Sequence, residues 1–238
     1  MYKKNKIAAI IPALDEALSI KQVVSDFLDL QIDQQRVIDQ LIVCDNGSKD
    51  LTATLAKSAG AEVVYENQRG YGVACLAGIN AIKGQPDWVL FVDGDGSVVA
   101  NQSFRLFDAL FAGADLVIGS RVQGNIEPEA MTWPQYFGNQ LITWVIRKIW
   151  SANITDLGPF RAIRYDSLQQ LQMLDTSYGW TVEMQVKAIQ QGLKVTEVPV
   201  DTKKRLGFSK ISGTVRGVIG AATGIFYKIY CLWRHPSA

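Results

Sequence analysis

The stretch VLFVDGDG at positions 89–96 decides how the rest of the chain can be interpreted. An apolar run, typical of a strand buried on both faces, ends in two aspartates separated by one glycine. Residues two apart on an extended segment project to the same face, so the carboxylates of Asp93 and Asp95 can converge on one point. Two carboxylates that close repel each other unless a cation lies between them. The stretch therefore predicts a site for Mg²⁺ or Mn²⁺, because hard oxygen ligands suit both ions.

Two other interpretations of this triplet are a plain turn and a calcium-binding loop. Acidic residues next to glycine are common in turns. A calcium loop that starts at Asp93 needs glycine at its sixth position and glutamate at its twelfth, but the sequence has Val98 and Phe104 there. Calcium is therefore disfavoured, and the choice between a turn and a metal site depends on the surrounding motifs.

The composition allows a buried core and disfavours several classes of protein. The chain has 238 residues, 48% of them hydrophobic, and a net charge of +1, which gives no general reason to expect nucleic acid as a partner. Three widely spaced cysteines form neither a disulfide framework nor a zinc motif and fit a cytoplasmic location. The single histidine, His235, lies near the C-terminus, which disfavours a histidine-dependent triad or a zinc enzyme.

The sequence predicts no membrane-spanning helix. No stretch approaches the roughly 20 apolar residues that a span needs. The best candidate, residues 215–233, is interrupted by Arg216, Lys228 and several glycines, as expected for an amphipathic helix. We therefore expect a main domain over residues 1–210, followed over residues 211–238 by an amphipathic helix packed on it or at a membrane surface.

The first half of the chain alternates between short apolar runs and helix-like segments. Such alternation, with continuous apolar strands, predicts an α/β fold with a mostly parallel central sheet and helices on both faces. The predicted strands are Ile7–Pro12, Gln40–Cys44, Glu62–Tyr65, Trp88–Val92 and Asp115–Gly119. The predicted helices are Glu16–Leu30, Asp50–Ala59, Gly72–Ile82 and Gln102–Phe111.

Polar residues follow three of these predicted strands at their carboxyl ends, where open α/β sheets bind ligands. They are Asp15 and Glu16, Asp45 and Asn46, and Asp93 and Asp95. This coincidence is the strongest physical argument for a ligand site.

Residues 127–150 break the alternation with a series of aromatic side chains, among them Trp133, Phe137 and Trp144, and with Arg147 and Lys148 near the end. Aromatic residues at helical spacing are commonly core residues. A helix that carries tryptophan and basic residues can also rest on a membrane interface or hold an apolar acceptor. Both interpretations remain open at this point.

Taken in order, the motifs resemble those of inverting family 2 glycosyltransferases of the GT-A fold. The similarity is greatest to the branch that transfers mannose or glucose to dolichyl or polyprenyl phosphate. It covers residues 7–211. It rests on PALDE (12–16), VCDNGS (43–48), RGYGVA (69–74), VDGDG (92–96), GSR (119–121), DLGPFR (156–161), Glu183, EVPV (197–200) and RLGFSK (205–210).

The resemblance implies roles for particular residues. It places Pro12, Leu14, Glu16 and Asp45 in the nucleotide pocket, and it assigns the metal to Asp93 and Asp95, with Asp93 also facing the nucleotide sugar. Another interpretation of Asp45 is a cap that stabilises the turn before Gly47. Gly72 belongs to a loop that opens a helix and helps to shape the donor pocket; as a dinucleotide-binding fingerprint this loop fails, because Cys75 stands at its third glycine position.

Two positions depart from the family pattern. Ser97 stands where relatives often carry a glutamine that joins the metal, and Asn46 replaces the second aspartate of the usual Asp-Asp-Gly-Ser.

The acceptor decides which further residues the reaction needs. A lipid phosphate is already anionic and needs positioning by cations, for which Arg121, Arg205 and Lys210 are suited. A hydroxyl acceptor needs a general base, for which Asp156 is the first candidate and Glu183 the second. A structural alternative is that Asp156 pairs with Arg161 and braces a loop.

The sequence thus predicts an inverting, metal-dependent hexosyltransferase that uses a UDP-glucose or GDP-mannose type of donor. The predicted acceptor is a polyprenyl phosphate or another small molecule. The protein is expected to contact the cytoplasmic face of a membrane peripherally. Two alternatives are a nucleotidyltransferase and a non-catalytic module that binds a sugar nucleotide or a membrane. The first expects a glycine-rich, basic phosphate loop after the first strand, which residues 12–17 do not provide.

Overall fold

The computed structural model describes residues 2–207 and 215–235, without the side chains of residues 215–219 and 221. Strands and helices are numbered in chain order. The described residues form a seven-stranded sheet and, apart from it, a two-stranded ribbon of β2 (Gln31–Ile32) and β3 (Gln35–Arg36). The spatial order of the sheet is β5 (Glu62–Tyr65), β4 (Gln40–Asp45), β1 (Ile7–Ala13), β6 (Trp88–Phe91), β8 (Arg161–Arg164), β7 (Leu116–Ser120) and β9 (Val195–Pro199).

The sheet is mostly parallel, as the sequence predicts. Strands β5, β4, β1 and β6 run parallel to one another, and β7 is parallel to β9. Strand β8 is antiparallel to both of its neighbours, β6 and β7. The five strands predicted from the sequence are all present, within one residue at each end; β8 and β9 were not predicted.

Eight α-helices surround the sheet in the described part of the chain. They are α1 (Ile20–Leu28), α2 (Thr52–Ser58), α3 (Tyr71–Asn80), α4 (Ser103–Phe111), α5 (Trp133–Trp150), α6 (Tyr165–Leu171), α7 (Trp180–Gln190) and α8 (Val215–Arg234).

The first helix begins four residues later than predicted. Asp15 has a positive φ of 51°, which a helix does not allow. The side chains of Ser48 and Thr52 accept hydrogen bonds from the backbone N–H groups of Asp15 and Glu16, at 2.9 and 2.8 Å. The residues after β1 are therefore held as a loop at the end of the sheet.

Both faces of the central strands are buried, which explains their continuous apolar sequences. Along β1, Ile7 and Ile11 face a core that includes Phe27 of α1 and Phe107 of α4. Ile10 faces the opposite core, which includes residues of α3 and α7. The alternation of side chains along a strand divides these residues between the two cores.

A third apolar cluster joins helices α5, α7 and α8. Its buried members from these helices are Ile142, Ile146, Val182, Val186, Ile229 and Leu232. Helix α8 is thus packed on the main domain through one face. In the described part of the chain, no helix is both long and apolar enough to cross a membrane.

Candidate active site

A cavity of about 330 Å³ opens at the carboxyl ends of β1, β4 and β6. This position matches the sheet edge at which the sequence places its polar residues. The lining residues are Pro12, Ala13, Leu14, Glu16, Asn46, Arg69, Gly70, Tyr71, Ala74, Asp93, Gly94, Asp95, Ser177, Tyr178 and Arg205. Of the nucleotide-pocket residues that the resemblance implies, Pro12, Leu14, Glu16 and Asp93 therefore lie in the cavity, and Asp45 and Gly72 do not.

The two aspartates after β6 both line the cavity. Asp93 accepts a hydrogen bond from the hydroxyl of Tyr71 at 3.1 Å. Asp95 accepts bonds from the backbone N–H and hydroxyl of Ser97, at 3.0 and 2.6 Å. Burial raises the pKa of Asp93 to about 7, and the negative charge of Asp95 adds to this effect. A buried carboxylate beside a second one is an arrangement that a cation relieves.

The donor set at this point fits Mg²⁺ or Mn²⁺. Within residues 2–207 and 215–235, no group of three or more His, Cys, Asp or Glu side chains is gathered closely enough to hold a metal ion. Asp93 and Asp95 alone resemble the type of magnesium site in which one or two carboxylates act together with substrate phosphates.

Arg205, from the segment after β9, also lines the cavity. Its Nη2 donates to Oε1 of Glu16 at 2.8 Å, and its Nη1 lies 3.4 Å from Oδ2 of Asp95. The backbone N–H of Leu206 donates to the carbonyl oxygen of Asp95 at 2.9 Å, which fixes this segment next to the aspartates. A single guanidinium thus connects the loops after β1 and β6. Lys210, the other predicted phosphate ligand in this segment, lies outside the described residues.

Asn46, rather than Asp45, faces the cavity after β4. The Asn46 amide donates to two carbonyl oxygens of residues 66 and 68, at 3.2 and 2.6 Å, and its oxygen accepts from the N–H of Gly70 at 2.8 Å. Asp45 is buried, and its carboxylate lies 3.4 Å from the N–H of Ser48. An amide can donate and accept at once, so Asn46 links the end of β4 to the start of α3.

The glycines of the 69–74 motif allow a close approach between two loops. A Cβ on Gly72 would lie 2.1 Å from the carbonyl oxygen of Asp175, and one on Gly70 would lie 2.1 Å from that of Thr176. Gly72 therefore serves packing inside α3. The loop that it contacts brings Ser177 and Tyr178 into the cavity. No sequence motif pointed to either residue.

Asp156 is completely buried and is bound by Arg121. Its two carboxylate oxygens accept from Nε and Nη2 of Arg121 at 2.9 and 2.7 Å, and the backbone N–H of Arg121 adds a third bond at 2.7 Å. Burial lowers the pKa of Arg121, but Asp156, Asp93 and Asp95 together raise it above its ordinary value. The guanidinium is therefore oriented by Asp156, and the negative charges of Asp93 and Asp95 also stabilise its protonated form.

The alternative prediction, that Asp156 pairs with Arg161, was wrong. Arg161 is fully buried and donates to the carbonyl oxygens of Leu157, Gly158 and Thr181. Burial lowers its pKa to about 10. Because its donors are used by the backbone, Arg161 braces the DLGPFR segment without pairing with Asp156.

Glu183, the second candidate base, lies in α7 and is buried away from the cavity lining. It accepts the backbone N–H groups of Leu174 and Asp175, at 3.1 and 2.7 Å, and lies 3.1 Å from the ammonium of Lys187. Its oxygens are thus occupied by the loop that precedes α7.

The sequence itself matches the family model "Glycosyl transferase family 2" over residues 8–172, which is more than half of the chain. The chain belongs to glycosyl transferase family 2. The matched region includes the loops after β1, β4 and β6, and thus most of the residues that line the cavity.

Three relatives agree with this family membership. An uncharacterized glycosyltransferase of Mycobacterium tuberculosis is 37% identical over 191 residues, covering 79% of this chain and 84% of that protein. The undecaprenyl-phosphate mannosyltransferase of Micrococcus luteus is 30% identical over 234 residues, covering 91% and 90%. The polyprenol monophosphomannose synthase of Mycolicibacterium smegmatis is 30% identical over 187 residues, covering 73% and 71%.

Solved structures confirm the GT-A fold. The glucosyl-3-phosphoglycerate synthase of Mycobacterium tuberculosis, solved with Mn²⁺, UDP and glucosyl-3-phosphoglycerate, aligns with a TM-score of 0.76. The alignment covers 99% of this chain and 82% of that one, at 19% sequence identity. At this identity the similarity shows the fold alone.

Proposed function

We propose that this family 2 glycosyltransferase moves a hexosyl group, with inversion, from a nucleotide diphosphate sugar to a polyprenyl phosphate. The observation that carries the proposal is the carboxylate pair Asp93 and Asp95 lining a cavity at the strand ends, with Arg205 beside it. This combination suits a donor with a diphosphate, because the pair binds a cation and the guanidinium binds phosphate oxygens.

The proposed cofactor is Mg²⁺ or Mn²⁺, held by Asp93 and Asp95. Bound there, the cation would act as a Lewis acid that neutralises charge on the departing nucleotide diphosphate. The structural neighbour solved with Mn²⁺ and UDP supports this choice. Pro12, Leu14 and Glu16 would bind the base and ribose, and Asp45 would support that pocket from within β4.

Arg205 would bind phosphate oxygens as well. In the structure its guanidinium is shared between Glu16 and Asp95, at 2.8 and 3.4 Å. A planar guanidinium with several donors can keep one carboxylate contact while it binds a phosphate group. Arg205 would therefore neutralise the donor or acceptor phosphate at the point where the loops after β1 and β6 meet.

Within the described part of the chain, no cavity carboxylate is available as a base, which favours an anionic acceptor over a hydroxyl. Among the described residues, the carboxylates that line the cavity are Glu16, Asp93 and Asp95, and all three lie in the proposed donor and metal site. Asp156 and Glu183 are both occupied by cations and backbone N–H groups. A lipid phosphate needs no deprotonation, so we assign to Asp156 the orientation of Arg121 rather than a base role. The names of the mannosyltransferase relatives support this acceptor class.

A lipid acceptor requires contact with a membrane surface, and helix α5 offers a suitable face. Its exposed residues Trp133, Phe137, Leu141, Trp144 and Lys148 follow one another at intervals of three or four residues. They lie opposite the face that packs on α7 and α8. An aromatic stripe that ends in basic residues is typical of a helix that lies in the headgroup region, where lysine pairs with anionic lipids. We propose this stripe as the membrane contact of the enzyme.

The first test is thermal stabilisation of the purified protein by UDP, GDP and dTDP, each with and without Mn²⁺. A ligand at 100 times its Kd adds about 2.7 kcal/mol of stability. We expect one nucleotide to stabilise the protein strongly and only with the metal. No stabilisation by any of them would favour the non-catalytic alternative.

The second test separates the reaction classes. Incubation with the matching labelled nucleotide sugar and undecaprenyl phosphate should yield a labelled lipid and free nucleoside diphosphate. Release of sugar 1-phosphate, with transfer of the nucleoside monophosphate to the acceptor, would instead indicate a nucleotidyltransferase. Transfer to a water-soluble hydroxyl acceptor such as 3-phosphoglycerate, without transfer to the lipid, would contradict the proposed acceptor.

A further inference from the structure

We infer that Lys228 is a positioning residue that ties the C-terminal helix α8 to one wall of the donor cavity. It does so through a largely buried cluster of four charges, formed by Asp175, Glu183, Lys187 and Lys228. The wall is the loop of residues 172–179, between α6 and α7. The inference rests on the proposed function only in that it takes the cavity to be the donor site.

The loop forms one wall of the cavity and packs against the start of α3, which forms another wall. Ser177 and Tyr178 line the cavity. The N–H of Val73, in the first turn of α3, donates to the carbonyl oxygen of Thr176 at 3.2 Å. The glycines at the start of α3 leave no space between the two segments. A shift of the loop would therefore change the shape of the cavity and the start of α3 together.

The cluster holds this loop by its backbone. Oε2 of Glu183 accepts the N–H groups of Leu174 and Asp175, and Oε1 lies 3.1 Å from Nζ of Lys187. Lys187 also donates to two carbonyl oxygens at the end of α6, at 3.1 and 2.8 Å. The buried ion pair of Glu183 and Lys187 thus fixes α6, α7 and the loop between them. Its other hydrogen bonds go to backbone groups of the loop and of the end of α6.

Lys228 adds the contact from α8. Its ammonium lies 3.0 Å from Oδ2 of Asp175 and 3.7 Å from Oε1 of Glu183, and its side chain is only 19% exposed. A Cβ on Gly179 would lie 2.9 Å from Cβ of Lys228 and 2.6 Å from Oδ2 of Asp175. Glycine at position 179 is therefore what allows α8 to approach the loop so closely.

Removal of the Lys228 charge would leave two carboxylates against one ammonium in a largely buried place. Uncompensated buried charge is unfavourable, so the loop would move toward solvent to relieve it. Since the loop forms a cavity wall and contributes none of the proposed phosphate or metal ligands, the variant should lose donor affinity while the chemical step is kept.

Hydrogen exchange tests the inference without any ligand. In Lys228→Met, we expect amides of residues 171–179 and 70–76 to exchange at least about tenfold faster, which corresponds to about 1.4 kcal/mol. The matched control Lys57→Met, at an exposed lysine of α2, should exchange like the unmodified protein. Unchanged exchange in Lys228→Met would overturn the inference, whether or not the protein binds nucleotides. Equally faster exchange throughout the sheet would also overturn it, because the effect would then be global unfolding.

Two second-site variants sharpen the test. Lys228→Arg keeps the charge and should restore most of the protection. Asp175→Asn, added to Lys228→Met, restores the balance of charges and should return exchange toward that of the unmodified protein, since the asparagine oxygen can still accept the N–H of Ser177. Further acceleration in the double variant would contradict a charge-based role.

The functional test compares the effect of the substitution on donor Kd and KM with its effect on kcat. With the nucleotide that binds the unmodified protein, UDP or GDP with Mn²⁺, Lys228→Met should raise the Kd and the donor KM about tenfold, with kcat within about twofold. A loss in kcat at unchanged KM would overturn the inference and leave the proposed function intact. Failure of the unmodified protein to bind either nucleotide would instead count against the proposed function, and hydrogen exchange would still decide the role of Lys228.

Discussion

The carboxylates after β6 and those of the second half of the chain differ in what neutralises them. Asp93 lines the cavity and has one neutral hydroxyl donor, and its pKa is raised to about 7 by burial and by Asp95. Asp156 and Glu183 are at least as buried, but an arginine or lysines and backbone N–H groups surround them. The comparison teaches that burial alone does not mark a catalytic carboxylate. A carboxylate such as Asp93, which no cation of the described residues contacts directly, is the better candidate for binding a ligand.

The largest expected effect comes from the β6 pair. Asp95→Asn should reduce metal-dependent turnover by about three orders of magnitude, because a Lewis acid contributes several kcal/mol to such a step. The same change should alter the melting temperature of the metal-free protein only slightly, since it removes repulsion with Asp93 but also weakens the contact of Asp95 with Arg205. Turnover at varied Mn²⁺ and thermal melting in EDTA test both statements.

The control for this variant is Asp33→Asn, at an exposed position in the β2–β3 turn. It should leave turnover and melting unchanged. Full metal-dependent activity in Asp95→Asn would remove this residue from the metal site.

Asp156→Asn should instead lower stability more than turnover. Because Arg121 would lose a buried partner, we expect a loss of about 3 kcal/mol in the free energy of unfolding. The variant should keep a measurable fraction of its activity well below its melting temperature. Urea unfolding and the pH profile of kcat are the measurements. Normal stability together with loss of the acidic limb of the pH profile, where a general base becomes protonated, would instead identify Asp156 as a general base.

Arg205→Ala should have an intermediate effect. Loss of a charge-assisted contact to phosphate costs about 1.5–3 kcal/mol, or roughly ten- to hundredfold in affinity. Isothermal titration with the nucleotide and measurement of the acceptor KM show which phosphate the residue binds. Arg205→Lys should recover only part of the loss, because lysine lacks the planar fork that contacts Glu16 and Asp95 together. Unchanged kinetics for both substrates would exclude Arg205 from the site.

The smallest effect is expected on the exposed face of α5. Trp144→Ser should reduce binding to vesicles that contain anionic lipid by several fold, because an interfacial aromatic side chain is lost. Activity with a short, water-soluble polyprenyl phosphate should not change. Leu51→Ser is the matched control, since it removes an apolar side chain elsewhere that is at least as exposed as Trp144. Equal vesicle binding by both variants would contradict the proposed membrane contact.

Much of the first half of the fold is predictable from sequence because each local signal agrees with the tertiary structure. Strand β1 is apolar at every position because both of its faces are buried, and its parallel neighbours follow the same pattern. The polar residues at the strand ends also point correctly to the sheet edge where the cavity lies. The expectation of core aromatics in α5 fails for Trp133 and Trp144, which are exposed, because helical spacing does not show which face meets the protein.

The site is less predictable where it depends on contacts between distant residues. The motif pattern shows Asn46 only as a departure from the usual aspartate, yet its amide joins β4 to α3. Ser177 and Tyr178 reach the cavity only because α7 places their loop against two glycines about a hundred residues earlier in the chain. Glu183 and Lys228 looked like a candidate base and a helix interruption, whereas they meet in one largely buried cluster.

The sequence by itself determined the family, the mostly parallel sheet and the position of the Asp93 and Asp95 pair at a strand end. These features depend on local periodicity and on residues close together in the chain, which the pattern of side chains records directly. Only the tertiary structure decided which carboxylates are already neutralised, which glycines are needed for packing and which face of α5 is exposed. Those properties are set by electrostatic and steric contacts between segments that are far apart in sequence, and no local pattern contains them.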